Sequence, residues 1–159
     1  MEPLENRLSS LLIETTAASI QGRGPHGLFH QIQAAMAKNP NLKYYYQSDY
    51  KGYYDSINHE TLISIIKRYV GDPLLLPILE NFVKALYPDG ECGISKGLRS
   101  SQFLGNLYHN DIDHRMIDVH GARYYFRFCD DIFILGESNA SYGGYVTACT
   151  SKQIRWGLR

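Results

Sequence analysis

Three aspartates are the residues of this sequence best suited to chemistry. Asp130 and Asp131 are adjacent, and a short run of aromatic and β-branched residues lies on each side of the pair. Such runs favour strands, so the pattern predicts a β-hairpin with the two acids at or next to its turn. Asp49 follows a run of three tyrosines, and we predict that it lies near the end of another strand.

Paired carboxylates of this kind point to a divalent cation. Neighbouring carboxylates repel each other on an apolar scaffold, so at least one tends to keep its proton unless a cation lies between them. Mg²⁺ prefers oxygen ligands, is held by only one or two protein carboxylates, and completes its shell with water and substrate phosphates. We therefore predict a Mg²⁺ site, with Mn²⁺ as an alternative ion. For the Asp130 and Asp131 pair alone, a solvated turn is the competing interpretation.

Composition limits the class of protein. A chain of 159 residues suits one domain, and 13% aromatic residues indicate a folded protein. Sixteen basic residues balance sixteen acidic ones, which argues mildly against a nucleic-acid binder. Cysteines at positions 92, 129 and 149 form no C-x-x-C pair, so neither a disulfide framework nor a zinc site is indicated. No apolar run is long enough to span a membrane, and we expect a cytoplasmic protein with no membrane partner.

The elements that must position the acids follow from hydrophobic periodicity, and together they predict an α+β fold. Strands are predicted at 44–50 and on both sides of the acidic pair. Helices are predicted within 4–20, before Asn39, after an Asn58 cap, at 76–86, and from a Ser100 or Ser101 cap to about Val119.

Two loops have residues that could face an anion. Arg23 lies between two glycines, and its planar guanidinium suits phosphate oxygens. Lys96 lies in a loop rich in glycine and serine, at 93–102, that leads into a predicted helix N-terminus, which is a natural anion site. For either loop alone, a plain surface loop explains the residues as well.

Three segments in order resemble the palm motifs A, B and C of reverse transcriptases. They are residues 49–57, residues 93–108 and residues 127–131. The similarity is to the bacterial branch that includes group II intron, retron and diversity-generating enzymes, whose fingers have a Gly-Arg-Gly loop like that around Arg23. The resemblance runs from about Leu4 to Glu137. Each motif is moderately specific, and the three together at suitable spacing are much more so.

The resemblance implies a polymerase palm, in which a small antiparallel sheet packs on helices, with part of the fingers and no thumb. It implies an RNA-directed DNA polymerase that uses an RNA template, a DNA or RNA primer, dNTPs and a two-metal mechanism. Asp49, Asp130 and Asp131 would then be the catalytic and metal-binding residues. The implied nucleotide contacts are Arg23, Tyr50, Tyr54, Lys96 and Gly97, of which Tyr54 would exclude a 2′-hydroxyl. The implied template and primer contacts are Gly93, Ser101, Gln102 and Phe128.

The sequence also departs from the family pattern. Phe128 replaces the usual motif C tyrosine, and Ser95 and Lys96 stand where many relatives have Pro-Gln. We assign residues 1–137 to the palm with partial fingers and predict that residues 138–159 are a linker-like tail, disordered or foreign to the family. The resemblance lacks the upstream basic strand of the fingers, and no motif D lysine region, primer grip or thumb is matched after motif C, so we expect a truncated or split gene product.

Two other functions remain open at this stage. One is a catalytically dead remnant, or a subunit that needs a second chain to supply the thumb and the remaining fingers. The other is an untemplated or protein-primed nucleotidyltransferase. His109, Asp113 and His114 lie on the predicted motif B helix and offer one i, i+4 pair for a metal, but we predict that they are side chains of its polar face.

Overall fold

The computed structural model describes residues 2–87, 90–138 and 153–158. These ranges contain five α-helices: α1 (Glu2–Leu8), α2 (Pro25–Lys38), α3 (His59–Tyr69), α4 (Leu75–Ala85) and α5 (Arg99–Asp118). They also contain five strands: β1 (Thr16–Ala17), β2 (Tyr44–Asp49), β3 (Tyr125–Phe128), β4 (Asp131–Gly136) and β5 (Gln153–Leu158).

The chain forms two compact units. The first consists of Met1–Leu12 and Gly52–Asn110, and the second consists of Ile13–Lys51 and Asp111–Arg159. The first unit therefore contains α1, α3, α4 and the first part of α5. The second unit contains α2, the last part of α5 and the strands.

The strands form one sheet in the order β1-β3-β4-β2-β5. β3 and β4 are an antiparallel hairpin, and β2 pairs antiparallel with both β4 and β5. The predicted α+β fold with an antiparallel sheet on helices is confirmed. One addition is β1, which pairs in parallel with β3. Its two residues are too few to produce a strand pattern in the sequence.

Both faces of the sheet are covered within the second unit. On one face Phe126 and Leu135 pack with apolar residues of α2, including Leu28 and Ile32. The residues that alternate with Phe126 and Leu135 along the strands point to the other face. There they form a second cluster with the end of α5. This cluster is composed of Ile13, Tyr46, Met116, Ala122, Tyr125, Ile132 and Ile134. Burying one such side chain contributes about 1.5–3 kcal/mol, so two packed faces hold the strand ends in place.

The predicted positions of α2 to α5 agree with the structure, whereas α1 begins before the predicted range of 4–20. The predicted caps agree in part. Asn58 caps α3 as expected, since its side-chain oxygen accepts a hydrogen bond from the Thr61 amide at 2.9 Å. The predicted cap of α5 is wrong, because that helix begins at Arg99 and includes Ser100 and Ser101. Ser101 is fully buried within it.

Part of the segment predicted to be a linker-like tail is described. Gln153–Leu158 is strand β5, whereas residues 139–152 and 159 lie outside the described residues. The division of the chain at residue 137 therefore stays a prediction. In the part of the chain that the structure describes, no helix has both the length and the apolar character needed to cross a membrane.

Candidate active site

The three predicted aspartates lie at one end of the sheet. Asp49 ends β2, Asp131 begins β4, and the two are direct partners in the antiparallel register. Side chains of directly opposed residues point to the same face, with Cβ atoms about 4.5–5.5 Å apart. Asp130 and Cys129 are the two residues between β3 and β4, so Asp130 lies in the hairpin turn. The predicted hairpin is thus present, with one acid in its turn and the other just after it.

The acids influence one another electrostatically. Asp49 and Asp131 are exposed and Asp130 is half-buried. Partial burial raises the pKa of Asp131, and the negative charges of Asp130 and Asp49 raise it further. The ionised forms of these side chains therefore repel each other, as the sequence predicted, and a bound cation would relieve that repulsion.

The atoms at this end of the sheet that could bind a metal ion are carboxylate oxygens, and solvent can reach them. Across the described ranges, no group of three or more His, Cys, Asp or Glu side chains is arranged to hold a metal ion by itself. Mg²⁺ does not need such a cage, because one or two protein carboxylates with water and phosphate oxygens suffice. The chemistry of Asp49, Asp130 and Asp131 therefore fits Mg²⁺ held partly by substrate, and it does not fit a closed structural metal site.

The hairpin turn has an unusual backbone conformation. Cys129 has a φ of +52°, in the left-handed region that glycine adopts most easily. A positive φ at the first residue of a two-residue turn matches the twist of the flanking strands. Phe128 is half-buried and directly opposite Asp131, so the aromatic residue of motif C lies beside the acids.

A buried ion pair lies next to this turn. The side chains of Arg127 and Asp113 are fully buried, and Arg127 Nη2 lies 2.7 Å from Asp113 Oδ2. Arg127 Nε lies 2.9 Å from Asp113 Oδ1, so the ion pair is bidentate. Asp113 also accepts hydrogen bonds from the hydroxyls of Tyr125 at 2.6 Å and Thr16 at 3.2 Å. Burial and the charge of Asp113 raise the pKa of Tyr125 well above its ordinary value. The Tyr125 hydroxyl therefore stays protonated and can donate its hydrogen bond to Asp113.

Two of the predictions for the motif B helix are wrong. His109 and Asp113 were predicted to be polar-face side chains, but both are buried. His114 does lie on the surface, with its Nδ1 atom 3.7 Å from Asp118. One signal could have revealed the buried acid: Arg127 lies within an otherwise apolar strand, and a buried guanidinium needs a buried acid.

In the first unit, backbone hydrogen bonds connect the motif A and motif B segments that contain predicted nucleotide contacts. The Ile94 amide donates to the Tyr54 carbonyl at 3.0 Å, and the Gly93 amide donates to the Ile57 carbonyl at 2.8 Å. Lys96 Nζ contacts Asp55 Oδ2 at 2.7 Å, and both side chains are exposed. Gly93 has a φ of +103°, so this turn requires glycine.

Tyr54 is half-buried and packs through an aromatic cluster. Its ring meets that of Tyr53 edge to face at a centroid distance of 5.3 Å, and the Tyr53 hydroxyl donates to the Gly105 carbonyl at 2.6 Å. A Cβ atom on Gly105 would lie 3.2 Å from Tyr53 Cε1 and 3.4 Å from Tyr54 Cε1. The close approach of both rings to α5 therefore depends on glycine at position 105. Tyr53 is buried in the core.

The other predicted contact residues have varied surroundings. Arg23 Nη1 donates to the Ile13 carbonyl at 2.8 Å, so this side chain holds its own segment of the second unit. Tyr50 packs against the cluster beneath α5. Gln102 is half-buried, and Gly97 has a φ of +86°. The acids, Arg23, Tyr50 and Phe128 belong to the second unit, whereas Tyr54, Gly93, Lys96, Gly97, Ser101 and Gln102 belong to the first.

Comparison with protein-family models identifies a matching family. A protein-family model described as "Reverse transcriptase (RNA-dependent DNA polymerase)" matches residues 3–159. Among curated proteins, none matches the chain significantly. The matched region contains the three aspartates, the connected motif A and motif B segments and strand β5.

Proposed function

The chain belongs to the reverse transcriptase (RNA-dependent DNA polymerase) family, and from this we propose that it extends a DNA or RNA primer with dNTPs on an RNA template. Family membership supports nucleotidyl transfer with nucleic acid and nucleotides as substrates. The observation that carries the proposal for this chain is the direct pairing of Asp49 with Asp131, next to Asp130 in the turn.

We assign the metal-binding role to the three acids. Asp49 and Asp130 would hold the divalent cations, Mg²⁺ or Mn²⁺, and Asp131 would provide the second acidic position of motif C. When bound, two such ions stabilise the attacking and leaving oxygens of phosphoryl transfer. The raised pKa of Asp131, caused by burial and by the charges of Asp130 and Asp49, supports this assignment, since it reports mutual repulsion that a cation would offset.

We assign nucleotide binding to the five residues that the motif resemblance implies. Lys96 supplies a positive charge to the triphosphate, and Gly97 allows the backbone to approach it. Tyr54 stacks under the sugar and excludes a 2′-hydroxyl. Its contacts with Tyr53 and its closeness to Gly105 support a fixed ring position, which steric exclusion needs. The set is completed by Tyr50 and Arg23.

We assign the template and primer contacts to Gly93, Ser101, Gln102 and Phe128. Phe128 has the best support, because it lies opposite Asp131 and offers an aromatic surface on which a base or sugar can stack. Ser101 has no exposed surface, so its place in this set rests on the resemblance alone.

Primer extension on an RNA of defined sequence tests the proposal. Each dNTP is supplied separately with Mg²⁺ or Mn²⁺, and the first template base is varied. The proposal predicts incorporation of the complementary nucleotide only. Equal incorporation of all four would indicate an untemplated nucleotidyltransferase. No incorporation by folded protein would indicate a non-catalytic member of the family.

A further inference from the structure

The guanidinium of the buried pair of Arg127 and Asp113 also contacts the hairpin turn. Arg127 Nη1 donates a hydrogen bond of 2.7 Å to the carbonyl oxygen of Cys129. The same guanidinium therefore contacts a helix through Asp113 and the hairpin turn through Cys129. Replacing a buried ion pair with apolar residues is often neutral or stabilising, so the pair is weak evidence for a role in stability alone.

The turn is the part of the hairpin that needs an external constraint. Cys129 adopts a φ of +52° although it is not glycine, and such conformations persist only where the surroundings impose them. The bond from Arg127 fixes the carbonyl of that residue. The next residue is Asp130. The orientation of the peptide group after Cys129 therefore sets the direction of the Asp130 backbone, and with it the position of the Asp130 side chain.

Arg127 acts on the turn from the face of the sheet opposite the acids. It pairs with Ile132 in the register, whereas Asp131 pairs with Asp49. Since neighbouring strand residues point to opposite faces, Arg127 points towards α5 and away from the side of Asp49 and Asp131. It is therefore a positioning residue and not a ligand.

We propose that Arg127, held by Asp113, fixes the left-handed turn at Cys129 and thereby places Asp130 for cation binding. This inference rests on the proposed function. It assigns a role to a buried charge network that the motif resemblance leaves without one. The planar guanidinium is essential, because one group must reach both Asp113 and the Cys129 carbonyl.

The test compares Arg127→Lys with a matched control, Tyr125→Phe, in the whole chain. Lysine keeps the charge beside Asp113 but has no planar fork to reach both partners, whereas Tyr125→Phe removes one donor to Asp113 and leaves the Cys129 contact. The first readout is the set of Cys129 carbon chemical shifts, which report the sign of φ. The second is Mn²⁺ affinity by titration calorimetry. Outer-shell substitutions typically cost about 10- to 100-fold in metal affinity.

We expect Arg127→Lys to change the Cys129 shifts and weaken Mn²⁺ binding about 10-fold, with Tyr125→Phe within about 2-fold of wild type. Adding Cys129→Gly to Arg127→Lys should restore part of the affinity, because glycine adopts positive φ without cost. Unchanged shifts, or no recovery with glycine, would overturn the proposal. Should Arg127→Lys fail to fold, the double variant with Asp113→Leu and Arg127→Met removes both charges together and is read in the same way.

The two readouts separate this inference from the proposed function. Wild-type protein that binds no Mn²⁺ in the presence of a dNTP and a primed template would contradict the proposed function. The chemical shifts would still decide whether the turn depends on Arg127.

Discussion

Asp49 and Asp131 stand directly opposite each other on neighbouring antiparallel strands, although α3, α4 and α5 all lie between them in the sequence. The register between β2 and β4 creates this pairing, and two packed sheet faces maintain it. Like charges directly opposite on a sheet are destabilising. A protein that keeps two acids in this arrangement accepts a loss of stability at that point, which a bound cation would offset.

The first prediction concerns the charge of Asp131. Because its pKa is raised in the folded state by burial and by the charges of Asp130 and Asp49, its contribution to stability is present when it is protonated and is lost as the pH rises through its pKa. Asp131→Asn should therefore raise Tm at neutral pH. Solvent screens the repulsion, so we expect an increase on the order of one to three degrees.

The pH dependence gives this prediction its control. The difference in Tm between Asp131→Asn and wild type should disappear near about pH 3, where the aspartate is protonated. Glu14→Gln, which removes the charge of another exposed acid of the same unit, should not raise Tm at neutral pH. A variant less stable than wild type at pH 7 would contradict the account of repulsion.

The second prediction concerns Gly105. Gly105→Ala adds a methyl group 3.2 Å from the Tyr53 ring and 3.4 Å from the Tyr54 ring. Overpacking costs about 1–3 kcal/mol, against roughly 1 kcal/mol that alanine contributes as a helix former, and the buried Tyr53 ring has little room to move away. We expect a net loss in the free energy of unfolding, measured with urea, and weaker discrimination against rNTPs because the Tyr54 ring shifts.

A second glycine provides the matched control. Gly27 lies in α2, and a methyl group added there would have no heavy atom within 4 Å. Gly27→Ala should therefore stabilise the protein by up to about 1 kcal/mol. Equal stabilisation by Gly105→Ala would show that Tyr53 and Tyr54 do not pack closely against α5.

The third prediction concerns Lys96. Its bond to Asp55 joins two exposed side chains, with 63% and 58% of their surface accessible, so the pair contributes at most about 1 kcal/mol to stability. Lys96→Ala should leave Tm nearly unchanged but raise the KM for dNTPs about tenfold, because a charge-assisted hydrogen bond to phosphate is lost. Steady-state kinetics with one varied dNTP measures this change.

Two variants control for the loss of a surface ion pair. Lys67 forms a similar bond of 2.7 Å with Glu80 in the same unit, so Lys67→Ala should not change the KM for dNTPs. Asp55→Asn removes the negative charge that pairs with Lys96 but keeps the lysine, and the KM of this variant for dNTPs should not rise. A tenfold increase in KM with either control would mean that Lys96 acts through the structure of the loop.

Local patterns in the sequence predicted much of the fold. The positions of α2 to α5, strand β2 and the hairpin of β3 and β4 follow from periodicity and from turn residues, which are local signals. The proximity of Asp49 to the acidic pair came from the motif resemblance. Neither source revealed that Arg127 pairs with Asp113, because that contact depends on how a helix packs on a sheet. The parallel pairing of β1 was missed because its two residues are too few to produce a strand pattern.

The polar residues of α5 show the limit of periodicity most clearly. Ser101, Asn106, His109, Asn110 and Asp113 recur along the helix at spacings that suggest a solvated face, yet all five are buried. Periodicity identifies apolar stripes, but it cannot tell a solvated polar stripe from a buried one. In this chain an arginine inside an apolar strand was the local sign of the buried acid.

The most direct test of the central claim is Mg²⁺-dependent incorporation of a complementary dNTP into a primed RNA template, compared between wild type and Asp130→Asn. Glu14→Gln serves as the matched control for the loss of one acid. The account predicts incorporation by wild type and by Glu14→Gln, and a loss of more than about 100-fold in Asp130→Asn, whose fold should persist. Equal incorporation by wild type and Asp130→Asn, or none by folded wild type, would contradict it.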